Sequence, residues 1–414
     1  MRNMFLKIFL PAIVLMVAVS SSCKPDDKSA AHPDTDSSAG GPPVETQKPN
    51  TEYKPAFEGQ TRIAGMKTAT PLDIEVLSES LQNPWGIAVL PDGRLLITQK
   101  SGTMRIAKTT GELSGTITGL PAVNANGQGG LLGVTIDPDF TGNRTVYWCF
   151  SENYNGCTMT AVAKGRLAAD ETKIEDATVI YRAVPLLKTN STLHYGGRIL
   201  FDKQGNLFVS TGERSNTDTR PEAQKPDSPL GKVLKITKDG APAAGNTNGL
   251  PEIYSLGHRN VQGLAIHPET GDLWECEFGP RGGDEVNRIE AGKNYGWATI
   301  TYGIEYSGEP INNGLTRKEG LEQPVYYWDP VVSPSGMTFY DGSQIPEWKN
   351  NLFIGCLSGS HIVRLKIINN KVVGEERLLA DQQQRFRDVK EGKDGALYAI
   401  CDGEHGRLYR IGKK

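Results

Sequence analysis

"GIAVLPDGRLLITQKSG" (residues 86–102) reads as a strand, a Pro-Asp-Gly turn and a second strand, and the chain repeats that phrase. It returns as "RILFDKQGNLFVSTGERS" (198–215), "GLAIHPETGDLWECEFGP" (263–280), "GMTFYDGSQIPEWKNNLFIGCLSGS" (336–360) and "RDVKEGKDGALYAICDGEHG" (387–406). A weaker sixth copy is "GVTIDPDFTGNRTVYWCFSE" (133–152). Taking the second strand as marker, Leu95, Val146, Leu207, Leu273, Leu352 and Leu397 lie 51, 61, 66, 79 and 45 residues apart. Such spacing suits four-stranded units with insertions, and recurrence at this period marks a repeat architecture. Six copies predict an all-β fold, a six-bladed β-propeller of four-stranded blades, in which radial repetition protects the sheet edges. The segment "DIEVLSE" (73–79) is expected to close the ring by pairing with the last blade. A jelly roll or a pair of sandwiches is the alternative, but neither explains a sixfold recurrence.

The bulk numbers agree with many turns and few long helices. The chain has 414 residues, among them 47 glycines and 25 prolines, enough for a sizeable core rich in tight connections. Its net charge of −3, without any long basic run, argues against a nucleic-acid partner.

The N-terminus reads as an address. Arg2 and Lys7 precede the aliphatic stretch Ile8 to Val19, too short to span a bilayer and suited to a signal peptide. Small residues then lead to Cys23, a pattern resembling a bacterial lipoprotein cleavage site. The expectation is a signal peptide over 1–22, a lipidated Cys23, a disordered polar tether over 23–70 and the propeller over 71–414. "KPDD" after the cysteine resembles an export signal of surface lipoproteins, so the anchored protein is placed in the periplasm or at the cell surface. Plain secretion is the competing reading. Of the five later cysteines, Cys149 and Cys157 flank a hairpin turn and invite a cross-strand disulfide, whereas Cys276, Cys356 and Cys401 read as buried thiols.

Chemistry is expected where "LHYGGRILF" (193–201) sets His194 ahead of paired glycines. His194 lies seven residues before Phe201, and Arg259 lies seven before Ile266, the matching strand position. Gln128 lies eight before Ile136, and Arg385 six before Glu391. Polar residues from four blades thus enter at one end of their inner strands and converge on one mouth of the channel. Arg214, Arg259, Arg385 and Arg387 suit a planar ligand bearing carboxylates. In "EFGPRGGDEVNRIEAGKNYGW" (277–297), an irregular turn at Gly279-Pro280 offers carbonyls to a hard cation, and Glu285 with Tyr295 offers a second set. Glu213, Glu277 and Asp284 keep a paired-carboxylate hydrolase reading open. No G-x-S-x-G elbow or phosphate-binding glycine loop is present.

With those residues in hand, the chain from about residue 73 to 414 resembles the soluble PQQ-dependent sugar dehydrogenases, nearest the aldose sugar dehydrogenase branch. The matching stretches are "PWGIAVLPDGRLLIT", "GQGGLLGVTIDPDF", "LHYGGRILF", "GHRNVQGLAIHP", "EFGPRGGDEVNRIEAGKNYGW", "YGIEYSGEPI" and "RFRDV". The resemblance implies a six-bladed propeller that oxidises an aldose at C1 to the lactone. It implies His194 as the general base and hydride transfer to pyrroloquinoline quinone (PQQ). Arg259 would stabilise the oxygen charge that develops, and Gln128, Asn260, Tyr306, Arg385 and Arg387 would contact cofactor or substrate. Calcium would sit on the Gly279 and Pro280 carbonyls, and a second calcium on Glu285 and Tyr295. In one departure, Ser358 stands where the family commonly has a lysine, and Arg214 offers itself as the replacement. No haem motif occurs, so electrons would leave to an external acceptor. Alternatives are a sorbosone-like aldehyde as substrate, a non-catalytic extracellular propeller that binds glycans or proteins, and a lactonase.

Overall fold

The computed structural model describes residues 40–414, so the signal segment and Cys23 lie outside the described residues. The described residues form six sheets, with neighbouring strands antiparallel within each blade, arranged as the blades of a β-propeller. Their inner strands are Pro84–Val89, Leu131–Ile136, Ile199–Phe201, Val261–Ile266, Pro334–Phe339 and Phe386–Glu391. Each packs on the next, and the last packs on the first, which closes the ring.

The register shows why the repeat was visible. The last inner-strand residue pairs with the marker residue in every blade: Val89 with Leu95, Ile136 with Val146, Phe201 with Leu207, Ile266 with Leu273, Phe339 with Leu352, Glu391 with Leu397. All six markers are completely buried or nearly so, because alternate residues of each strand face a neighbouring blade. Apolar layers between blades, such as Leu96, Trp148, Phe150 and Ala161, form the core. Blade 1 has three full strands, and isolated bridges from Met104 to Ile117 and from Ala107 to Leu113 supply a partial fourth. Blade 6 takes its outer strand from Leu72–Leu81, which pairs antiparallel with Gly406–Lys413, so the start of the propeller fastens its end.

Two expectations are corrected. The stretch read as tether is packed from residue 40 onward: Gly41–Pro43 pairs with Ala64–Gly65, which bridges in parallel to Glu375 at the edge of blade 5. Polar groups hold this strap, which is why its low apolar content misled. Gln60 is fully buried, donates to the Pro324 carbonyl and accepts from Tyr302. Arg62 donates to the carbonyls of Glu45, Gln47 and Asp329. The second correction concerns Cys149 and Cys157, which are buried free thiols. Within their hairpin Cys149 faces Val162 and Cys157 faces Tyr154, so the two cysteines are not cross-strand neighbours.

Inner strands of four blades are tied by one buried charge pair. Arg198 Nη1 lies 2.7 Å from Asp388 Oδ2, joining blade 3 to blade 6 across the channel. Asp388 also accepts from the Ile87 amide of blade 1, and Arg198 Nε donates to the Gln262 carbonyl of blade 4.

Candidate active site at the propeller mouth

A cavity of about 480 Å³ opens at one mouth of the channel. His194, Gln128, Arg259 and Arg385, the four residues aligned by their place in the repeat, all line it. Tyr306, Arg387, Gly279 and Pro280 line it as well.

His194 reaches the cavity from a strained position, with a φ of +47°. Gly196 and Gly197 follow at +64° and +91° and turn the chain back into the inner strand. A side chain at Gly197 would strike Leu132 of blade 2 at 2.5 Å, so this doorway requires glycine. The His194 amide donates to Gln128 Oε1 at 2.8 Å, and its Nδ1 lies 2.5 Å from Glu213 Oε1. With Nδ1–H donated to a carboxylate, Nε2 is the nitrogen left with a lone pair and no partner among the described residues. Burial, reinforced by the Arg259 charge, pushes the His194 pKa down to about 4 although Glu213 opposes the shift. The imidazole is therefore neutral at pH 7 and able to accept a proton.

Arg259 faces the same space. Its Nη1 donates to the carbonyls of Phe278 (3.1 Å) and Gly279 (2.7 Å), and its buried Nε has no partner among the described residues. Asn260 stands behind the wall: its Oδ1 accepts from the Gly196 amide and Gln262, while its buried Nδ2 is unpartnered. Arg385 and Arg387 both approach Asp402, at 3.5 and 3.2 Å. Tyr306 is 71% exposed and sits at the rim.

The profile of the family described as Glucose / Sorbosone dehydrogenase matches residues 81–410. The chain belongs to the glucose/sorbosone dehydrogenase family. It is 40% identical over 348 residues to aldose sugar dehydrogenase YliI of Escherichia coli (strain K12), covering 82% of this chain and 92% of that protein. A solved structure titled glucose dehydrogenase is 44% identical with a TM-score of 0.78, covering 83% of this chain and 100% of the other. The PQQ-bound aldose sugar dehydrogenase of Streptomyces coelicolor is 26% identical with a TM-score of 0.67, covering 84% and 99%.

Within this family member the remaining expected residues divide. Arg214 is corrected: it does not line the cavity. Its fully buried guanidinium donates to the carbonyls of Leu193, Thr158 and Ser191 and to Thr158 Oγ1, and it stacks on Tyr195 at 3.9 Å. With four of its five N–H groups taken by those acceptors, it braces the His194 loop from behind. Ser358 shares a hydrogen bond with Ser333. Lys100, unremarked in the sequence, lines the cavity, donates to the Gly127 carbonyl and has its pKa lowered by burial. Glu213 was legible as an acid near the mouth but not as the partner of His194. The signal was its place just after the second strand of blade 3, which returns antiparallel to where His194 enters.

Asp284 organises the Gly279-Pro280 turn. Its carboxylate accepts from the amides of Gly279, Val332 and Ser333, and burial outweighs those bonds to push its pKa up to about 7. Glu285 and Tyr295 line a second, smaller cavity with Glu277 and Arg259. Glu277 accepts from the Arg259 and Asn260 amides and meets His258 Nδ1 at 3.2 Å. His258, Glu275 and Glu277 present ligand atoms within 4.8 Å of one another. Burial raises the Glu275 and Glu285 carboxyls well above the usual range, and the Glu277 charge adds to it.

Proposed function

We propose that this protein oxidises an aldose at C1 to its lactone with PQQ and calcium, passing electrons to an external acceptor. The observation that carries the reading is His194, a neutral imidazole whose Nδ1 is held by Glu213 and which lines a cavity rich in cationic donors. Lys100, Arg259, Arg385 and Arg387 outnumber Asp284 and Asp402 along its walls, and nitrogens without a partner among the described residues remain on Arg259 and Arg387. That donor set fits a flat polycarboxylate better than a neutral sugar alone. The Pro280 carbonyl, and the Gly279 carbonyl through the lone pair that Arg259 Nη1 leaves unused, are oxygen donors of the kind calcium takes. Glu285 and Tyr295 offer a second place for the ion.

When bound, PQQ supplies a quinone carbonyl that accepts two electrons from the sugar as hydride. His194 Nε2 takes the proton of the C1 hydroxyl, and Glu213 steadies the resulting imidazolium. Arg259 would help hold the cofactor in the cavity, where its guanidinium would stabilise negative charge. Gln128, which fixes the His194 backbone, also borders the substrate space. Export and a lipid anchor on Cys23 are supported by the sequence pattern, and labelling with a fatty acid, abolished by Cys23→Ala, tests them.

Equilibrium titration of the apoprotein with PQQ and calcium, followed by dye reduction with a panel of aldoses and sorbosone-like aldehydes, tests the function. Cofactor binding with aldose turnover is expected. Turnover confined to the aldehydes shifts the substrate, and failure to bind PQQ overturns the proposal.

A further inference from the structure

The strap over residues 40–70 lies before the matched family residues and touches the back of the turn whose front lines the cavity. The link is Asp329, which follows the last strand of blade 4, Tyr326–Trp328. Asp329 is 4% exposed, and four strap groups donate to its carboxylate. These are the Asn50 amide (3.0 Å) and Nδ2 (2.6 Å), and the Thr51 amide and Oγ1, both at 3.1 Å. Arg62 adds a bond to the Asp329 carbonyl at 2.6 Å. On its other side the carboxylate abuts Gly282, where a φ of +87° and a Cβ only 2.7 Å from Asp329 Oδ1 leave room for glycine alone. The Gly283 amide donates to the Trp328 carbonyl beside it, and Arg281 Nε donates to Asn50 Oδ1 at 3.1 Å.

We infer that Asn50 and Thr51 are positioning residues of the site, holding the 279–283 turn in its cavity-facing conformation through Asp329 and Arg281. A buried carboxylate requires donors, and these come from the strap; a charged acceptor makes each such bond stronger than a neutral one. Weakening them admits water behind the turn and frees it to open locally. The importance given to the turn rests on the metal-and-cofactor reading above, whereas the mechanical coupling does not.

Amide hydrogen exchange on the full chain without added cofactor tests the coupling. In Asn50→Ala/Thr51→Ala, the hydrogen-bonded amides of Gly279, Arg281 and Gly283 are expected to exchange about tenfold faster or more, with the blades unchanged. Thr51→Ser, which keeps the hydroxyl, is expected to exchange as the unmodified chain does. Thr68→Ala, at the strap's blade 5 end where Thr68 bonds Glu376 and Trp348, is expected to leave the turn protected. Unchanged exchange over 279–283 in the double variant overturns the inference, as does protection lost evenly from all six blades. Calcium titration of the same variants is a second readout, with weaker binding expected in the double variant and not in Thr51→Ser. Absence of calcium binding in the unmodified chain removes the metal reading while exchange still decides the coupling.

Discussion

Buried polar side chains on the inner strands and at their entrances are of two kinds, and their difference separates what holds the ring from what serves the mouth. Across the channel, Arg198 and Asp388 face each other at 2.7 Å, with the Ile87 amide and the Gln262 carbonyl completing a tie between four blades. At the mouth, Arg259 bonds only backbone carbonyls through Nη1, and His194 has one ring nitrogen without a partner among the described residues. The tie directs its groups at each other, whereas the mouth directs groups at open space. Arg214 belongs with the first kind although its sequence context placed it with the second.

Breaking the tie should therefore cost stability, and altering the mouth should cost chemistry. Asp388→Ala strands a buried guanidinium, and a loss of about 3–5 kcal/mol in unfolding free energy is expected, read by denaturant titration. Arg259→Ala should lower kcat by about 10²–10³-fold while shifting the melting temperature far less. A comparable stability loss in both variants would erase the distinction.

A subtler separation comes from pH. The folded pKa of His194, about 4, lies below the unfolded value of about 6.5, so the unfolded chain binds the extra proton between them. The contribution of neutral His194 is complete above about pH 6.5 and is lost as pH falls through about 4. Difference measurements between the unmodified chain and His194→Gln should show this slope below pH 6.5 and none above. The smallest effect concerns the thiols. A reductant should leave the melting temperature unchanged, because Cys149 and Cys157 are free.

How much of this was legible follows from the same physics. Hairpin turns recur at fixed register, so Val89 opposite Leu95 and its five counterparts exposed the sixfold ring and the residues that enter it together. His194, Arg259, Gln128 and Arg385 were found by counting back from those turns. Arg214 and Arg385 could not be told apart, since the direction of a guanidinium depends on acceptors from other segments, here Thr158 and Ser191. The strap escaped notice because Gln60, Arg62, Asn50 and Thr51 hold it by hydrogen bonds to distant carbonyls and one carboxylate. Apolar patterning carries no trace of such bonds.

The role proposed for His194 is that of the base in a C1 oxidation. Its most direct test is dye reduction by the PQQ- and calcium-loaded protein with glucose or another aldose and the C1-deuterated sugar, comparing the unmodified chain with His194→Ala. Turnover with a primary isotope effect is predicted for the unmodified chain. The variant is predicted to bind the cofactor equally well and to lose about 10²–10⁴-fold in rate. Equal rates in the two proteins would rule that role out.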